Sequence, residues 1–285
     1  MLVVMREIPG RLLVEAMVRA DGTVDCGDLY TVAGLLGMTD QQVRLSIRRL
    51  VADGRVVQEG RGRKATLRAT AETWRSIEPD IDFMRLMYQQ DHGKAPWDGV
   101  WHLVGFAIPE STRPARDALR EAIVYLGGAA VQSGLYVSPH AWEDLIEAEA
   151  ARLGVTDHLT FLTSRDLCIG TESAPRALAE RLWMLDEIAE RHVRLIEIAA
   201  TYLTRLRADP PETEQLTIAI ELAAEFTHAM EPDPLLPPEL LPQPWPGTEA
   251  RELLAQCWAL LLSKPHHNAP RLFEVYTEAA RSVTV

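Results

Sequence analysis

The chain has 285 residues, 47% of them hydrophobic and 25% charged, which is enough for two or three domains with sizeable cores. Its three cysteines show no zinc-site spacing, and its longest fully apolar run, 257–262, is far shorter than the ~18 residues of a membrane span. A disulfide scaffold and a membrane-spanning protein are therefore excluded. Because the N-terminus also lacks a signal-peptide pattern, we expect a cytoplasmic protein with reduced thiols, no metal and no cofactor.

Charge is unevenly distributed along the chain. The formal net charge is −12, yet residues 1–70 hold 11 basic and 8 acidic side chains, a net of +3. Within them, residues 39–70 hold 8 basic and 3 acidic side chains, and the remaining 215 residues carry a net of −15. Because salt screens charges beyond about 8 Å, a local positive segment can bind a polyanion despite the acidic remainder.

Residues 28–70 predict a winged helix-turn-helix. A short helix over 28–36 ends at Gly37, and Thr39 can cap a second helix over 40–53 with Gln42 as its capping-box partner. The helical wheel gives that second helix a packed apolar face, made of Val43, Ile47, Leu50 and Val51. Its opposite face is suited to base edges in a major groove, and it carries Gln41, Arg44, Leu45, Arg48 and Arg49.

Residues 55–70 predict a β-hairpin around Gly60-Arg61-Gly62, with a basic tip formed by Arg61, Arg63 and Lys64. A basic helix followed by a basic hairpin is how a winged module grips DNA. The candidate DNA-binding residues are therefore Thr39, Gln41, Gln42, Arg44, Arg48, Arg49, Arg61, Arg63 and Lys64. The alternative is a small helical domain with a solvated charged face.

The rest of the chain divides into two further regions. A helix over 9–20 precedes the winged segment, and helical residues 71–92, interrupted by Pro79, form a connector. From Trp97 the pattern is strand–helix–strand–strand–helix–strand, typical of a ferredoxin-like sandwich, to which 167–170 can add an edge strand.

Helical spacing then continues from 174 to about 208, and further helices are predicted over 214–229, 248–262 and 270–281. Between them, 232–247 holds seven prolines with interleaved Leu and Trp, which predicts an ordered strap (231–247) across the helical domain. The predicted fold is α+β and multidomain: a winged helix-turn-helix over 1–74, a ferredoxin-like domain over 75–172 and a C-terminal helical domain over 173–285.

Three stretches resemble the PaaX-like transcriptional repressors, the family of the phenylacetic acid catabolism repressor. They are LLGMTDQQVRLSIRRLVADGRV, WDGVWHLVGFAIPESTRPARDALREAIVYLGGAAVQSGLYVSP and DPLLPPELLPQPWPGTEAR. The resemblance implies a homodimeric repressor that binds operator DNA of an aromatic or acyl-CoA catabolic operon. It also implies release by a small acidic effector such as phenylacetyl-CoA or another aryl-CoA thioester. The first helix and the wing depart from the family pattern, which leaves the operator sequence open.

An effector site has two sets of candidates. Arg113, Arg116 and Arg120 line one face of a predicted helix and suit a phosphate group, although ion pairs with the chain's own carboxylates are the favoured interpretation. Trp101, Tyr136 and Trp245 can line an apolar pocket, but large aromatic side chains more often belong to a core.

A catalytic function is the main alternative. The middle domain resembles the small CRISPR-associated endoribonucleases, which would make the chain a nuclease or an RNA-binding protein. Its first strand, WHLVGFAIP, has no carboxylate for a metal, and His102 and the pair His266-His267 are isolated in sequence. The chain also lacks GxSxG, Walker and GxGxxG motifs, so we expect no enzyme. A winged helix used only for protein contact is a third possibility.

Overall fold

A computed structural model describes residues 7–77, 81–263, 270, 272 and 273. The predictions made for Pro79, for His266-His267 and for most of the helix over 270–281 lie outside the described residues. The first elements in chain order are α1 (Gly10–Ala16), β1 (Thr23–Asp25), α2 (Cys26–Leu35), α3 (Asp40–Ala52), β2 (Val56–Glu59), β3 (Thr66–Ala69), α4 (Ala71–Ile77) and α5 (Ile81–Asp91). The middle elements are β4 (Trp101–Phe106), α6 (Arg113–Tyr125), β5 (Ala129–Gln132), β6 (Leu135–Ser138), α7 (Glu143–Leu153) and β7 (Leu159–Ser164). The last elements are α8 (Pro175–Leu182), α9 (Leu185–Arg207), α10 (Glu212–Met230) and α11 (Pro246–Leu261).

Helices combine with two antiparallel sheets, which confirms the α+β class. The first sheet has the order β1-β3-β2, and β2 pairs with β3 from Val56↔Ala69 to Glu59↔Thr66. Helices α1, α2 and α3 pack on this sheet through one buried cluster, to which α10 contributes Ile220. The first helix is shorter than predicted and ends at Ala16.

The second sheet has the order β5-β6-β4-β7, with all neighbours antiparallel. Its strands and helices follow the predicted order along the chain, with α6 after β4 and α7 after β6. Side chains alternate between its faces, as the period of two requires. Val104 of β4 packs among residues of α6 and α7, whereas Trp101 and Leu103 belong to the buried cluster of the other face.

Two predicted elements differ from the structure. The continuous helical spacing from 174 is broken at Trp183, whose backbone is extended (φ −116°, ψ 148°), so that α8 and α9 are separate helices. The Trp183 indole donates a hydrogen bond to the carbonyl of Gly127 at 3.0 Å and stacks on Trp101, and these tertiary contacts override the local helical pattern. Residues 167–170 form only an isolated bridge, Ile169↔Glu172, and add no strand to the second sheet within the described chain.

The predicted strap over 231–247 packs through its apolar side chains against the second sheet and against helical residues. Its apolar side chains lie in the same buried cluster as Trp101 and Leu103 of the sheet and Leu178 of α8. Those side chains are Leu236, Leu240, Leu241 and Trp245. The strap and α8 therefore complete the core on the sheet face opposite α6 and α7, because that face is too apolar to be left in water.

Contacts group the chain into two compact units, one of residues 1–86, 193–227 and 247–285, the other of residues 87–192 and 228–246. The division into 1–74, 75–172 and 173–285 stays a prediction. Among the described helices, none is both long enough and apolar enough to cross a membrane.

Candidate nucleic-acid interface

Helix α3 begins at the cap that the sequence predicts. The Thr39 hydroxyl accepts a hydrogen bond from the Gln42 backbone N–H at 3.3 Å, and the Gln42 side-chain oxygen accepts one from the Thr39 backbone N–H at 2.7 Å. This is a complete capping box, and it fixes where the helix starts. Both side chains are engaged in the cap, so their candidate contacts with DNA are limited by that role.

The two faces of α3 differ in burial and in charge. Val43, Ile47 and Leu50 are buried in the cluster that holds α1, α2 and the first sheet together. The exposed face consists of Gln41, Arg44, Leu45, Arg48 and Arg49. The prediction for Val51 is wrong, because this side chain is 40% exposed at the margin of the packed face in the last turn.

Helix α1 supports α3 from behind at close range. A Cβ atom at Gly10 would lie 2.0 Å from the Ser46 hydroxyl oxygen, so glycine is needed at this crossing point. The close approach holds the packed side of α3 against α1 and leaves the arginine side facing solvent.

The arginines of α3 differ in their partners. Arg44 lies 3.9 Å from the Asp40 carboxylate, one turn earlier on the helix. Arg48 and Arg49 have neither an ion pair nor a hydrogen bond to any side chain in the part of the chain that the structure describes. Their positive charge is therefore available to an outside anion.

The hairpin after α3 has an exposed basic tip. Strands β2 and β3 are joined by residues 60–65, which include a 3₁₀ turn over Gly62–Lys64, and Arg61, Arg63 and Lys64 are all exposed. Arg63 donates to the Asp40 carboxylate at 3.0 and 3.3 Å and lies 4.8 Å over the Tyr30 ring. For Arg61 and Lys64, no side-chain partner occurs among residues 7–77 and 81–263.

Net charge alone did not show which cations are used internally. Arg55, counted in the positive segment, is mostly buried and lies 3.6 Å from both Glu15 and Glu72. Arg68 of β3 is exposed and pairs with Glu59 at 3.4 Å, and it is not among the contact residues that the sequence predicts. The alternation of β3 could have indicated it, because Arg68 points away from buried Leu67.

The arginines proposed for an effector lie on α6, as their spacing predicts. Arg116 is 2.6 Å from Glu110 and 3.4 Å from Asp117, and Arg113 contacts the same two carboxylates at 3.7 and 3.4 Å. The hydrogen bond that Arg116 donates to the Glu110 carboxylate raises the pKa of Arg116 above its usual value. Arg120 is exposed and makes no ion pair within the described residues.

The three candidate aromatic residues do not line one site. Trp101 and Trp245 lie in the cluster on the strap side of the second sheet, whereas Tyr136 lies on the side of α6 and α7. All three side chains are buried, and Tyr136 stacks on Phe106 with ring centroids 5.7 Å apart. Their packing accounts for them as core residues.

His102 is not isolated in space. Its Nδ1 lies 2.7 Å from Glu143 Oε1, and both side chains are largely buried. Burial opposes ionisation of Glu143, but hydrogen bonds from His102 and from the backbone of Glu143 and Trp142 lower the pKa of its carboxyl. Within the described residues, no three His, Cys, Asp or Glu side chains are grouped to hold a metal ion.

Comparisons with known proteins cover most of the chain. Residues 94–179 match the model of the PaaX protein central Cas2-like domain, and residues 183–269 match that of the PaaX-like protein C-terminal domain. The transcriptional repressor PaaX of Escherichia coli (strain K12) is 26% identical over an aligned length of 254 residues, and the alignment covers 81% of this chain and 72% of the relative.

A solved structure of an uncharacterized protein from Mycobacterium tuberculosis has a similar fold, with a TM-score of 0.50 and 19% identity over 96% of each chain. The two family models follow each other in the expected order, and the curated relative extends the similarity beyond them. The chain therefore belongs to the PaaX-like family.

Proposed function

We propose that this protein is a transcriptional repressor that binds operator DNA through α3 and the hairpin over 55–70. The similarity to a transcriptional repressor supports the general role. The observation that carries the proposal is the exposed face of α3, where Arg48 and Arg49 have no internal partner among the described residues.

The proposed N-terminal module is a winged helix-turn-helix in which α3 is the recognition helix. Gln41, Arg44, Arg48 and Arg49 would read bases or contact nearby phosphates, since Arg and Gln suit the edges of guanine and adenine. The hairpin would contact the DNA backbone with its basic tip. Thr39 and Gln42 would contribute indirectly, because their capping box fixes where α3 begins and thereby the position of its exposed face.

The proposed central domain is ferredoxin-like, and the sheet order β5-β6-β4-β7 supports this layout. We infer that it serves assembly and sensing rather than catalysis, in a homodimer that acts in the cytoplasm. The nuclease or RNA-binding alternative has no supporting observation in the residues described, and the curated relative is named as a repressor.

The proposal is tested by mobility shift with promoter DNA from the protein's own locus. Wild type is compared with the double variant Arg48→Ala/Arg49→Ala and with the charge-matched control Arg113→Ala/Arg152→Ala, whose arginines are more than 60% exposed elsewhere on the surface. We expect the control to bind like wild type and the α3 variant to lose roughly tenfold or more, because each base contact contributes ~1–3 kcal/mol. Failure of the wild type to shift DNA, together with metal-dependent RNA cleavage, would establish the nuclease alternative.

The proposed effector is an acyl-CoA-type or other small acidic metabolite, for which Arg120 is the best-placed arginine because Arg113 and Arg116 are already paired. Thermal-shift assays with phenylacetyl-CoA, coenzyme A and phenylacetate test it. A ligand that binds only the native state raises the melting temperature. We expect the thioester to do so in wild type and less in Arg120→Ala; equal, negligible shifts with all three compounds would contradict the assignment.

A further inference from the structure

The tip of the hairpin is packed against the start of α2. The Cys26 backbone N–H donates to the Ala65 carbonyl at 3.0 Å, which ties the base of the tip to the first residue of the helix. At Gly27, an added Cβ would lie 3.3 Å from the Arg63 carbonyl oxygen, closer than most real contacts of that kind. The backbone of the tip is therefore seated on α2 rather than extended into solvent.

The Arg63 side chain joins this tip to two helices. Its guanidinium lies 4.8 Å over the ring of Tyr30, a buried residue of α2, which is within the range of a cation–π interaction. The same group donates to both oxygens of Asp40, the first residue of α3. One side chain thus bridges the hairpin, α2 and the N-terminus of α3.

The neighbouring cations of the tip are arranged differently. Arg61 and Lys64 are exposed and have no side-chain partner among the described residues. They can take a phosphate without giving up an internal contact, whereas Arg63 would first have to leave both Asp40 and Tyr30. The three cations of the tip, which look equivalent in sequence, are therefore not equivalent in the structure.

We propose that Arg63 and Asp40 form a positioning brace that sets the hairpin relative to α3, and that Arg61 and Lys64 make the phosphate contacts of the tip. The inference rests on the proposed DNA-binding function and assigns roles within it. It gives Asp40, an acidic residue on a DNA-facing surface, a positive effect on binding. Simple electrostatics predicts the opposite effect, because a carboxylate near DNA repels phosphates.

The dependence of DNA affinity on salt separates the two roles. The logarithm of the DNA association constant falls as the logarithm of the salt concentration rises, and loss of one phosphate contact makes this slope less steep by about 0.9. Because both protomers of the proposed homodimer carry the substitution, we expect Arg61→Ala to make the slope less steep by about 1.8. We expect Arg63→Ala and Asp40→Asn each to weaken DNA binding by about twofold to fivefold, because an exposed ion pair contributes only up to about 1 kcal/mol. Both variants should keep the wild-type dependence on salt.

Two controls make the comparison sharp. Asp53→Asn removes the same charge from the other, exposed end of α3 and should leave affinity unchanged or raise it. The double variant Asp40→Asn/Arg63→Ala should bind no more weakly than either single variant, because both substitutions break one contact. Tighter binding by Asp40→Asn than by Asp53→Asn, or a reduced slope in Arg63→Ala, would overturn the brace and make Arg63 a phosphate contact.

A measurement without DNA distinguishes failure of this inference from failure of the proposed function. Hydrogen–deuterium exchange of the free full-length protein should show faster exchange over residues 60–65 in Arg63→Ala and Asp40→Asn, but not in Arg61→Ala. Unchanged exchange in all three variants would reject the brace even if the protein binds DNA. Faster exchange in the two brace variants of a protein that binds no DNA would leave the brace in place and reject the DNA-binding function.

Discussion

At the scale of single residues, Leu235 illustrates how the start of the strap is held. It is one of two non-glycine residues with positive φ (50°) among those described, a conformation that costs of order 1–3 kcal/mol. Its N–H donates to Asp233 at 2.8 Å, and its carbonyl accepts from Gln90 at 3.0 Å and from His140 at 2.8 Å. Asp233 is fixed in turn by buried His192 at 2.7 Å. Side chains distant in sequence therefore hold one strained residue in place.

His140 should make stability depend on pH. Burial lowers the pKa of His140 below its ordinary value of 6.5, although its hydrogen bonds to the carbonyls of Leu235 and Pro234 oppose the shift. The His140 imidazole therefore binds a proton more readily in the unfolded chain than in the folded one. Its contribution to the free energy of unfolding is complete above about pH 6.5 and is lost as the pH falls from that value through the folded-state pKa.

We expect the free energy of unfolding of wild type to fall between about pH 7.5 and 5.5, and to fall less in His140→Gln, which can still donate to Leu235 but does not titrate. Urea denaturation at the two pH values measures the difference. Glu143 titrates in a separate, more acidic pH range. Because the pKa of its carboxyl is below the ordinary value of 4.5, the stabilisation that it contributes is lost only as the pH falls below 4.5. An equal decline in wild type and variant would show that His140 is not responsible.

At the scale of elements, the strap acts as a layer of the core. Its proline content prevents helix and central strand, and residues 233–245 form neither, apart from a 3₁₀ turn over Pro238–Leu240. Leucine and tryptophan side chains between the prolines then fill the face of the sheet that α6 and α7 do not cover. The strap is thus a structural element without regular secondary structure.

Truncating a strap leucine should therefore destabilise the protein as a core substitution does. Leu240 is fully buried in the cluster with Trp101 and Leu103, and Leu240→Ala should cost about 2–5 kcal/mol. The control Leu162→Ala makes the same chemical change on a side chain that is 53% exposed, and it should cost about 0.5 kcal/mol or less. Urea unfolding followed by tryptophan fluorescence measures both, and equal costs would show that the strap is not part of the core.

At the scale of the whole molecule, charge is distributed unevenly along the chain. The net charge of −12 conceals a positive segment over residues 39–70, whose exposed cations lie on α3, on the hairpin tip and at Arg68 of β3. Because salt screens charges beyond about 8 Å, the acidic remainder would not prevent the proposed local contact with DNA, and it would limit non-specific adhesion.

A homodimer of the proposed kind should require two half-sites at a fixed rotational spacing. Two recognition helices enter the major groove on one face of DNA when half-site centres are about 10–10.5 base pairs, or a multiple, apart. Inserting about five base pairs at the centre of the operator should therefore weaken binding far more than inserting about ten. Mobility shifts with the unaltered operator and with the two operators that carry insertions measure this difference. Equal binding to all three would indicate a monomer, or a dimer whose DNA-binding domains are flexibly linked.

Local signals predicted the start of α3 and the polarity of its faces correctly. The Thr39–Gln42 cap and the period of α3 depend on residues within one or two turns of each other, so they could be assigned before any tertiary contact was known. The exposure of Arg48 and Arg49 follows from the same period. Val51 was misassigned because the edge of a packed face depends on what lies opposite the helix.

Long-range contacts could not be predicted in the same way. The pairing of Arg63 with Asp40 joins residues 23 positions apart, and the break at Trp183 depends on a hydrogen bond to Gly127 and a stacked Trp101. In both cases the local sequence permits another arrangement, a free cation or a continuous helix. Tertiary packing contributes more free energy than local propensity and therefore decides between them.

The sequence alone determined the order of the elements, the start of α3, the polarity of its two faces and the location of positive charge, because these depend on capping, periodicity and composition over short distances. Only the tertiary structure decided which sheet face the strap covers, which cations are already paired and which aromatic residues share a cluster. These properties depend on side chains that meet only after the chain has folded, and a linear pattern carries no information on the distance between them.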